Sequence, residues 1–396
     1  MVEVDAASFF VIIFVAGLAA LTAAVLEPRL AIPVVVIELI LGIAVGPDVL
    51  GIAEADEFTL FFANLGLGML FFFAGYEIDF RRIAGSPLRL AVIGWVISLL
   101  LAYTVGGLLA WAGIVVSLLY TGSALATTAI GTLIPILRDA GELPTRFATF
   151  LLAAGAVGEF GPILLVTLVL AGGQPAHEAV ILVAFVVIAL LVALVAVRSA
   201  FVGWPLMERT LEASSQVAVR LSVLLIFGLV ALADELGLDL LLGGFVAGLI
   251  VRMALRGREV ELFESKLTAV GYGFFIPFFF VVSGLQFDLD ALLSSTRTIY
   301  ELPLFLALFL LARGLPALVL YRSEIPHVRD RVALGLYSAT ALPLVVAITT
   351  LALAAGEMRS VTAASLVGAA MLSTLTFPLI AMLLRRGRVG AEAVAS

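Results

Sequence analysis

The chain has 396 residues, of which 63% are hydrophobic and 13% charged, and its formal net charge is −7. Soluble domains are about 45–50% apolar and about 25% charged, so this composition excludes an ordinary water-soluble globular protein. The absence of cysteine excludes disulfides and thiolate metal sites. Apolar stretches long enough to cross a ~30 Å hydrocarbon core as helices recur along the whole chain. We count 13 predicted spans, at 7–26, 30–47, 58–76, 87–112, 114–137, 147–171, 178–198, 217–235, 238–253, 267–287, 299–321, 331–354 and 361–384.

The basic residues in the loops are divided unequally between the two sides of the membrane. Nineteen lie on one side, and Arg297 and Arg359 alone lie on the other. The positive-inside rule places the basic side in the cytoplasm, so an odd number of spans puts the N-terminus outside and the C-terminus inside. We therefore predict a multi-pass protein of the cell (inner) membrane. Because the sequence has no phosphate-binding glycine loop and only a short tail after the last span, we expect no soluble regulatory domain.

Short segments of the first half recur in the second half in the same order. Each pair is seven spans apart, so its two members cross the membrane in opposite directions, as in the inverted repeats of secondary transporters. The offsets are 202 to 213 residues, and the pairs are Gly75 to Asp79 with Gly284 to Asp288, Gly42 to Gly46 with Gly244 to Gly248, and Ala126 to Thr128 with Ala339 to Ala341. This predicts one transporter domain over 1–396, with a first repeat at 30–171, a linking helix at 178–198 and a second repeat at 217–386.

Glu159 lies midway along the sixth span, where an ionisable residue costs roughly 2.5–3.5 kcal/mol and suggests a function or a buried partner. Pro162 has no N–H, so the carbonyl of Gly158 loses its helical partner next to this carboxylate. Oxygens of this kind suit a hard cation such as Na⁺ or K⁺. We predict that Glu159 binds the cation and the proton alternately, with Gly158 beside it. The alternative is a packing carboxylate paired with an arginine, and a proline that only bends the helix.

The fifth and twelfth spans are rich in hydroxyls and small residues, which favours helices that are broken midway. Broken helices at the middle of the membrane expose carbonyls and half-helix ends to an ion. We predict that the two broken helices cross there, that Thr127 and Thr128 contribute to the cation site, and that Ser123 and Thr340 are secondary candidates. The alternative is that these hydroxyls serve only helix packing.

Arg313 lies midway along the eleventh span and stays charged at physiological pH. We expect it to compensate charge, either by neutralising a carboxylate or by occupying the carbonyls of a half-helix when no cation is bound. Glu159 and Glu38 are both possible partners, and a fixed structural pair is the alternative. Glu38 has no second polar group among its neighbours, which favours a structural role, although it stays a secondary candidate for the site.

At these residues the chain resembles the monovalent cation:proton antiporter superfamily, in the branch of Kef-type and related sodium/proton or potassium/proton antiporters. The resemblance covers nearly the whole chain, and its segments are 69–79, 124–141, 242–252, 274–288 and Arg313. It implies a homodimer in which a core of spans 4 to 6 and 11 to 13 moves like an elevator against a scaffold. One departure concerns the sixth helix, where Gly158-Glu159 replaces the Asp-Asp, Asn-Asp or Gln-Asp of the family. This departure affects ion selectivity and stoichiometry.

Together these observations favour a secondary antiporter that exchanges Na⁺ or K⁺ for H⁺ electroneutrally, without a cofactor and without a nucleic-acid partner. A cation channel, and a transporter of an organic or ionophore-bound ion on the same fold, are the open alternatives. An intramembrane hydrolase would need paired aspartates, a serine dyad or a zinc site within the spans, and the sequence has none of these. We therefore expect no enzymatic activity.

Overall fold

The computed structural model describes residues 5–26, 33–78, 80–165, 175–211, 213–238, 240–255, 261–294 and 296–386, and within them the secondary structure is entirely helical. The first half contains α1 (Ala6–Leu26), α2 (Val34–Val45), α3 (Glu57–Tyr76), α4 (Phe80–Ile83), α5 (Ser86–Trp111), α6 (Leu118–Leu125), α7 (Ile130–Asp139), α8 (Arg146–Leu165) and α9 (Pro175–Leu211). The second half contains α10 (Val217–Glu235), α11 (Leu240–Ala254), α12 (Glu261–Val270), α13 (Ile276–Leu285), α14 (Leu289–Ser294), α15 (Thr298–Phe309), α16 (Leu315–Leu320), α17 (Val328–Ser338), α18 (Pro343–Ala354) and α19 (Ser360–Arg385). Two π-helical turns, Gly271–Phe275 and Leu310–Gly314, join α12 to α13 and α15 to α16.

The predicted fold class is confirmed, because each predicted span coincides over its described residues with a helix or with consecutive helices. Residues 30–32, 166–171 and 239 of the predicted spans, and Asp79 of the first repeated segment, lie outside the described part of the chain. The helix of the seventh span is longer than 178–198, since its apolar part covers Val180–Arg198 while the helical backbone of α9 continues to Leu211. Hydropathy detects the part of a helix that is apolar, not the point where its hydrogen bonding stops.

Helix ends follow local sequence signals. Asp56 and Thr59 form a reciprocal capping box before α3, with Thr59 N donating to Asp56 Oδ1 at 2.7 Å and Asp56 N donating to Thr59 Oγ1 at 2.8 Å. Gly113 follows α5 with a φ of 70°, the left-handed conformation in which glycine commonly ends a helix.

The helices pack into two groups. In the scaffold group, α3 packs against α11 and α13, α2 against α1 and α13, and α10 against α11. In the core group, α5 packs against α6, α8 and α16, while α15, α17 and α18 pack against α19. The long helix α9 contacts α10 and α11. The groups meet where α3 contacts α7, α11 contacts α8 and α2 contacts α19.

Glycines bring the scaffold helices into close contact at two crossings. At Gly42 of α2, an added Cβ would lie 3.0 Å from the Cα of Gly284 in α13; at Gly248 of α11, it would lie 3.0 Å from the carbonyl carbon of Gly75 in α3. The sequence match equates α2 with α11 and α3 with α13, so each crossing is the counterpart of the other. This exchange of partners is what an inverted repeat produces. The boundaries 30–171 and 217–386 stay predictions.

A buried ion cluster closes one end of the core group. The Arg385 side chain, at the end of α19, is fully buried, and its Nε donates to Glu142 Oε2 at 2.7 Å. Its Nη1 lies 3.2 Å from Asp330 Oδ1, and its guanidinium lies 3.7 Å from the centre of the Phe147 ring. The cluster connects α19 to α17 and to the turn between α7 and α8. Separating these elements would be costly, because a buried ion pair that loses one partner leaves an uncompensated charge.

Candidate functional site

Two helices of the core group are broken at corresponding places, as predicted. α6 ends at Leu125 and α7 begins at Ile130, while α17 ends at Ser338 and α18 begins at Pro343. In the first break, the Thr127 hydroxyl donates to the carbonyl of Ala124 at 2.8 Å, which offers the backbone an alternative to helix continuation. In the second break, Pro343 disfavours helical geometry at the residue before it, and Leu342 has a φ of −150°.

The two breaks touch each other. The N–H of Ala129 donates to the carbonyl of Thr340 at 2.8 Å, and the Thr128 hydroxyl donates to the carbonyl of Ser338 at 2.5 Å. Backbone groups that the breaks leave without helical partners are thus satisfied across the crossing, as buried backbone groups require. The crossing of two discontinuous helices predicted from sequence is confirmed.

Glu159 on α8 meets the N-terminal end of the half-helix α7. Its carboxylate is 1% exposed and accepts hydrogen bonds from the backbone N–H groups of Ile130 and Gly131. These are among the first N–H groups of α7, where the helix dipole favours a negative charge. Its second oxygen, Oε2, has no hydrogen-bond partner within the described part of the chain. The carboxylate is therefore anchored through one side and keeps an oxygen available for a proton or a cation.

The carbonyl of Gly158, which Pro162 deprives of its helical partner, accepts a hydrogen bond from the N–H of Thr128 at 3.0 Å. This bond attaches the first break directly to the residue before Glu159. The carbonyl retains its second lone pair.

Arg313 lies in the π-helical turn between α15 and α16 and is 4% exposed. Its guanidinium makes four hydrogen bonds to neutral groups, which are Thr128 Oγ1 at 2.9 Å, Ala154 O at 3.1 Å, Ser98 Oγ at 3.3 Å and Ser338 O at 3.4 Å. Two of these acceptors are backbone carbonyls, and that of Ser338 lies beside a broken helix. The charge-compensating role of Arg313 stays a prediction. The carbonyl of Ser338 closes α17, where the helix dipole favours a positive charge.

Gly158 provides the space that this arginine occupies. A Cβ at position 158 would run into Arg313 Nη2 and would lie 2.8 Å from Thr128 Oγ1. The space that a side chain at position 158 would need is therefore already occupied by the Arg313 guanidinium.

The secondary candidates lie in different places. The Thr340 carbonyl belongs to the crossing, whereas its hydroxyl donates to Leu336 O at 3.2 Å. The Ser123 hydroxyl donates to Leu119 O at 2.6 Å and lies 3.1 Å from the Tyr103 hydroxyl. Glu38 is 2% exposed on α2, whose helix packs against α1, α13 and α19, and it takes no part in the hydrogen bonds described around Glu159.

At the second break, a serine side chain of α19 accepts the hydrogen bond of a freed backbone N–H group. Ala341 lies 213 residues after Thr128, and its N–H donates to Ser373 Oγ at 3.1 Å, in the place where Thr128 N–H donates to the Gly158 carbonyl. The next residue along α19 is Thr374, which is not ionisable. Ser98 and Ser373 were not among the sequence candidates, because a single serine in an apolar span is an ordinary packing residue.

A cavity of about 460 Å³ lies between the two groups, on the side of the basic loops. Its charged lining forms ion pairs, with Arg138 Nη2 2.7 Å from Glu77 Oε1 and Arg252 Nη1 3.8 Å from Glu264 Oε1. A smaller cavity of about 120 Å³ is lined by Glu77 and Arg252 as well as by Ile130, whose N–H holds Glu159. The smaller cavity therefore reaches the N-terminal end of α7, next to Glu159.

Comparisons with known proteins agree with this architecture. The Bacillus subtilis protein YjbQ is 26% identical over 367 residues, which are 87% of this chain and 57% of YjbQ. The Na(+)/H(+)-K(+) antiporter GerN of Bacillus cereus is 27% identical over 279 residues, which are 67% of this chain and 68% of GerN. The solved structure of the sodium proton antiporter MjNhaP1 from Methanocaldococcus jannaschii at pH 8 shares the fold, with a TM-score of 0.63, 18% identity and 98% of each chain covered.

The chain thus spans little more than half the length of YjbQ. A family model described as the transmembrane part of sodium/hydrogen exchangers matches residues 11–383. The chain belongs to the sodium/hydrogen exchanger family of transmembrane proteins, which are transporters and not enzymes.

Proposed function

We propose that the protein exchanges a monovalent cation for a proton across the cell membrane, and that Glu159 binds the two alternately. The observation that carries this proposal is a buried carboxylate held by the N-terminus of α7, with one oxygen still unpartnered, at the crossing of two broken helices. A hard cation that sheds water needs oxygen ligands, and the site offers the Glu159 oxygen, the Gly158 carbonyl, and Thr127 and Thr128.

Na⁺ is the first candidate for the cation, because the family and its named relatives are sodium/proton exchangers. K⁺ is the second candidate, since the printed name of GerN includes it.

Exchange in this scheme is electroneutral. Arg313 keeps its charge throughout the cycle because a guanidinium does not release its proton in proteins. Gly158 stands before Glu159, so the sixth span has no second carboxylate beside it. One carboxylate binds either one proton or one cation, so the loaded core has the same net charge in both directions.

Alternating access would come from movement of the core group against the scaffold group. The ion site lies within the core group, whereas the cavity is lined by both groups. We further propose that residues 30–171 and 217–386 are the two inverted repeats, that 178–198 within α9 links them, and that the protein is a homodimer. The unequal loop charge supports an N-terminus outside and a cytoplasmic C-terminus in the cell (inner) membrane.

The test is proton flux in proteoliposomes to which Na⁺, K⁺ and Li⁺ are added in turn, for the wild type and for Glu159→Gln. Glutamine keeps the shape and removes a costly buried charge, so the variant should insert and remain folded but lose cation-driven proton movement. Wild-type exchange by Glu159→Gln would rule out this site. Cation flux that does not move protons would indicate a channel.

A further inference from the structure

Tyr272 is the second residue of the π-helical turn Gly271–Phe275, in a scaffold helix that lines the cavity between the two groups. Single π-turns inside α-helices occur frequently at functional sites. The turn is held by α3, because Gly271 packs against the ring of Phe73, and the rings of Tyr272 and Phe73 lie 5.0 Å apart. Tyr272 is therefore carried by a packed element of the scaffold.

Tyr272 lines the 460 Å³ cavity together with Glu77, Arg138 and Glu264. Its hydroxyl also interacts electrostatically with Glu77, with Arg138 and with Glu159. It is thus near enough to the charged groups of the cavity and to the carboxylate of the core to interact with both. Beside this region, Phe160 of α8 stacks on Phe245 of α11 with ring centres 5.0 Å apart, so apolar contact seals the neighbouring part of the interface.

We propose that the Tyr272 hydroxyl is a further binding oxygen for the monovalent cation, which it contacts as the cation passes between the cavity and Glu159. A phenolic oxygen can accept an ion contact while its hydrogen donates elsewhere. This inference rests on the proposed function, in which Glu159 travels with the core. Since Tyr272 belongs to the scaffold, it meets the cation only while the site faces the cavity.

That placement predicts an effect on one side of the membrane. In proteoliposomes of known orientation, Tyr272→Phe should raise the apparent KM for Na⁺ about three- to tenfold when Na⁺ is on the cavity side, as the loss of one neutral oxygen contact would. The KM for Na⁺ on the other side and the maximal rate should stay at their wild-type values. A residue that only supports the fold would change both sides together.

Tyr337→Phe is the matched control, because Tyr337 is fully buried in the core group and its hydroxyl has no hydrogen-bond partner within the described residues. It should leave both KM values unchanged. Tyr272→Gln returns an oxygen to the position and should recover part of the affinity on the cavity side, which also checks that the phenylalanine variant is not simply misfolded.

The outcomes distinguish a failure of the proposed exchange function from a failure of the proposed role of Tyr272. If the wild type shows no cation-driven proton movement, the proposed function fails and this inference fails with it. If the wild type exchanges normally while Tyr272→Phe changes the KM on neither side or equally on both, the role of Tyr272 is wrong and the function of Glu159 stands.

Discussion

Arg138, at the C-terminal end of α7, donates a hydrogen bond to Glu77, just beyond α3, with 2.7 Å between Nη2 and Oε1. The pair joins the core group to the scaffold group. The opposite end of the same ten-residue helix holds Glu159 through backbone N–H groups. A rigid helix about 15 Å long therefore connects the ion site to a contact that must change if the groups move against each other.

Cross-linking this pair should stop exchange. The chain has no cysteine, so Glu77→Cys with Arg138→Cys creates two unique thiols. A short, reducible bifunctional reagent should lower the proton flux to background, because it ties α7 to α3, and reduction should restore the flux. The measurement is Na⁺-driven proton flux before and after reduction.

The matched control is Arg146→Cys with Glu324→Cys, which replaces an ion pair of 2.5 Å inside the core group. Cross-linking there should leave exchange intact, since both residues would travel together. Full activity of the cross-linked 77/138 protein would contradict a moving core.

Gly158→Ala should destabilise the protein by about 1–3 kcal/mol, because the new methyl group overpacks the site against Arg313 and Thr128. Gly107→Ala is the matched control on α5, where an added Cβ meets no atom within 4 Å. In a helix interior that change should be neutral or stabilising by up to about 1 kcal/mol. Thermal unfolding in detergent measures both, and equal midpoints would show that the volume at position 158 is free.

Replacing the two threonines of the first break with valine should lower the stability of the protein by different amounts. The Thr128 hydroxyl accepts from Arg313 Nε and donates to the Ser338 carbonyl. Thr128→Val leaves buried, charged Arg313 without that acceptor and should cost about 1–3 kcal/mol of stability, with a lower exchange rate.

Thr127→Val is the matched comparison, because this hydroxyl bonds only to the Ala124 carbonyl within its own turn among the described contacts. It should cost less than about 1 kcal/mol, and it should weaken apparent cation affinity if Thr127 is a ligand. A larger loss of stability in Thr127→Val than in Thr128→Val would reverse the assignment.

Exchange should be insensitive to the membrane potential. A net charge moving through the membrane would be worth about 2.3 kcal/mol per 100 mV, so an electrogenic cycle would change its rate or reversal point steeply. The measurement imposes a potassium-diffusion potential with valinomycin while Na⁺-driven proton movement is followed. Tracking of the potential would reject one-for-one exchange, and Glu38→Gln would then test whether the second buried carboxylate supplies the additional charge.

The sequence by itself determined the spans, the unequal loop charge, the two breaks and the position of Glu159. These are local properties: an apolar run long enough to cross a membrane is visible in its own residues, and Pro343 and the hydroxyl of Thr127 act on backbone within one turn. The π-helical turns at Tyr272 and Arg313 have no comparable local signal, because their side-chain pattern hardly differs from that of a continuous helix.

Only the tertiary structure decided which groups surround the ion site. Arg313 donates a hydrogen bond to Thr128, which lies 185 positions away in the chain. Its hydrogen bonds go to carbonyls and hydroxyls, and none of those described goes to Glu159 or Glu38. In the sequence, Gly158 indicates the loss of a polar ligand. In the structure, the absence of a Cβ at this position leaves the space that the Arg313 guanidinium occupies. The physical reason is that buried polar groups must find partners wherever the packed helices bring them, and packing geometry is not encoded in the spacing of residues along one helix.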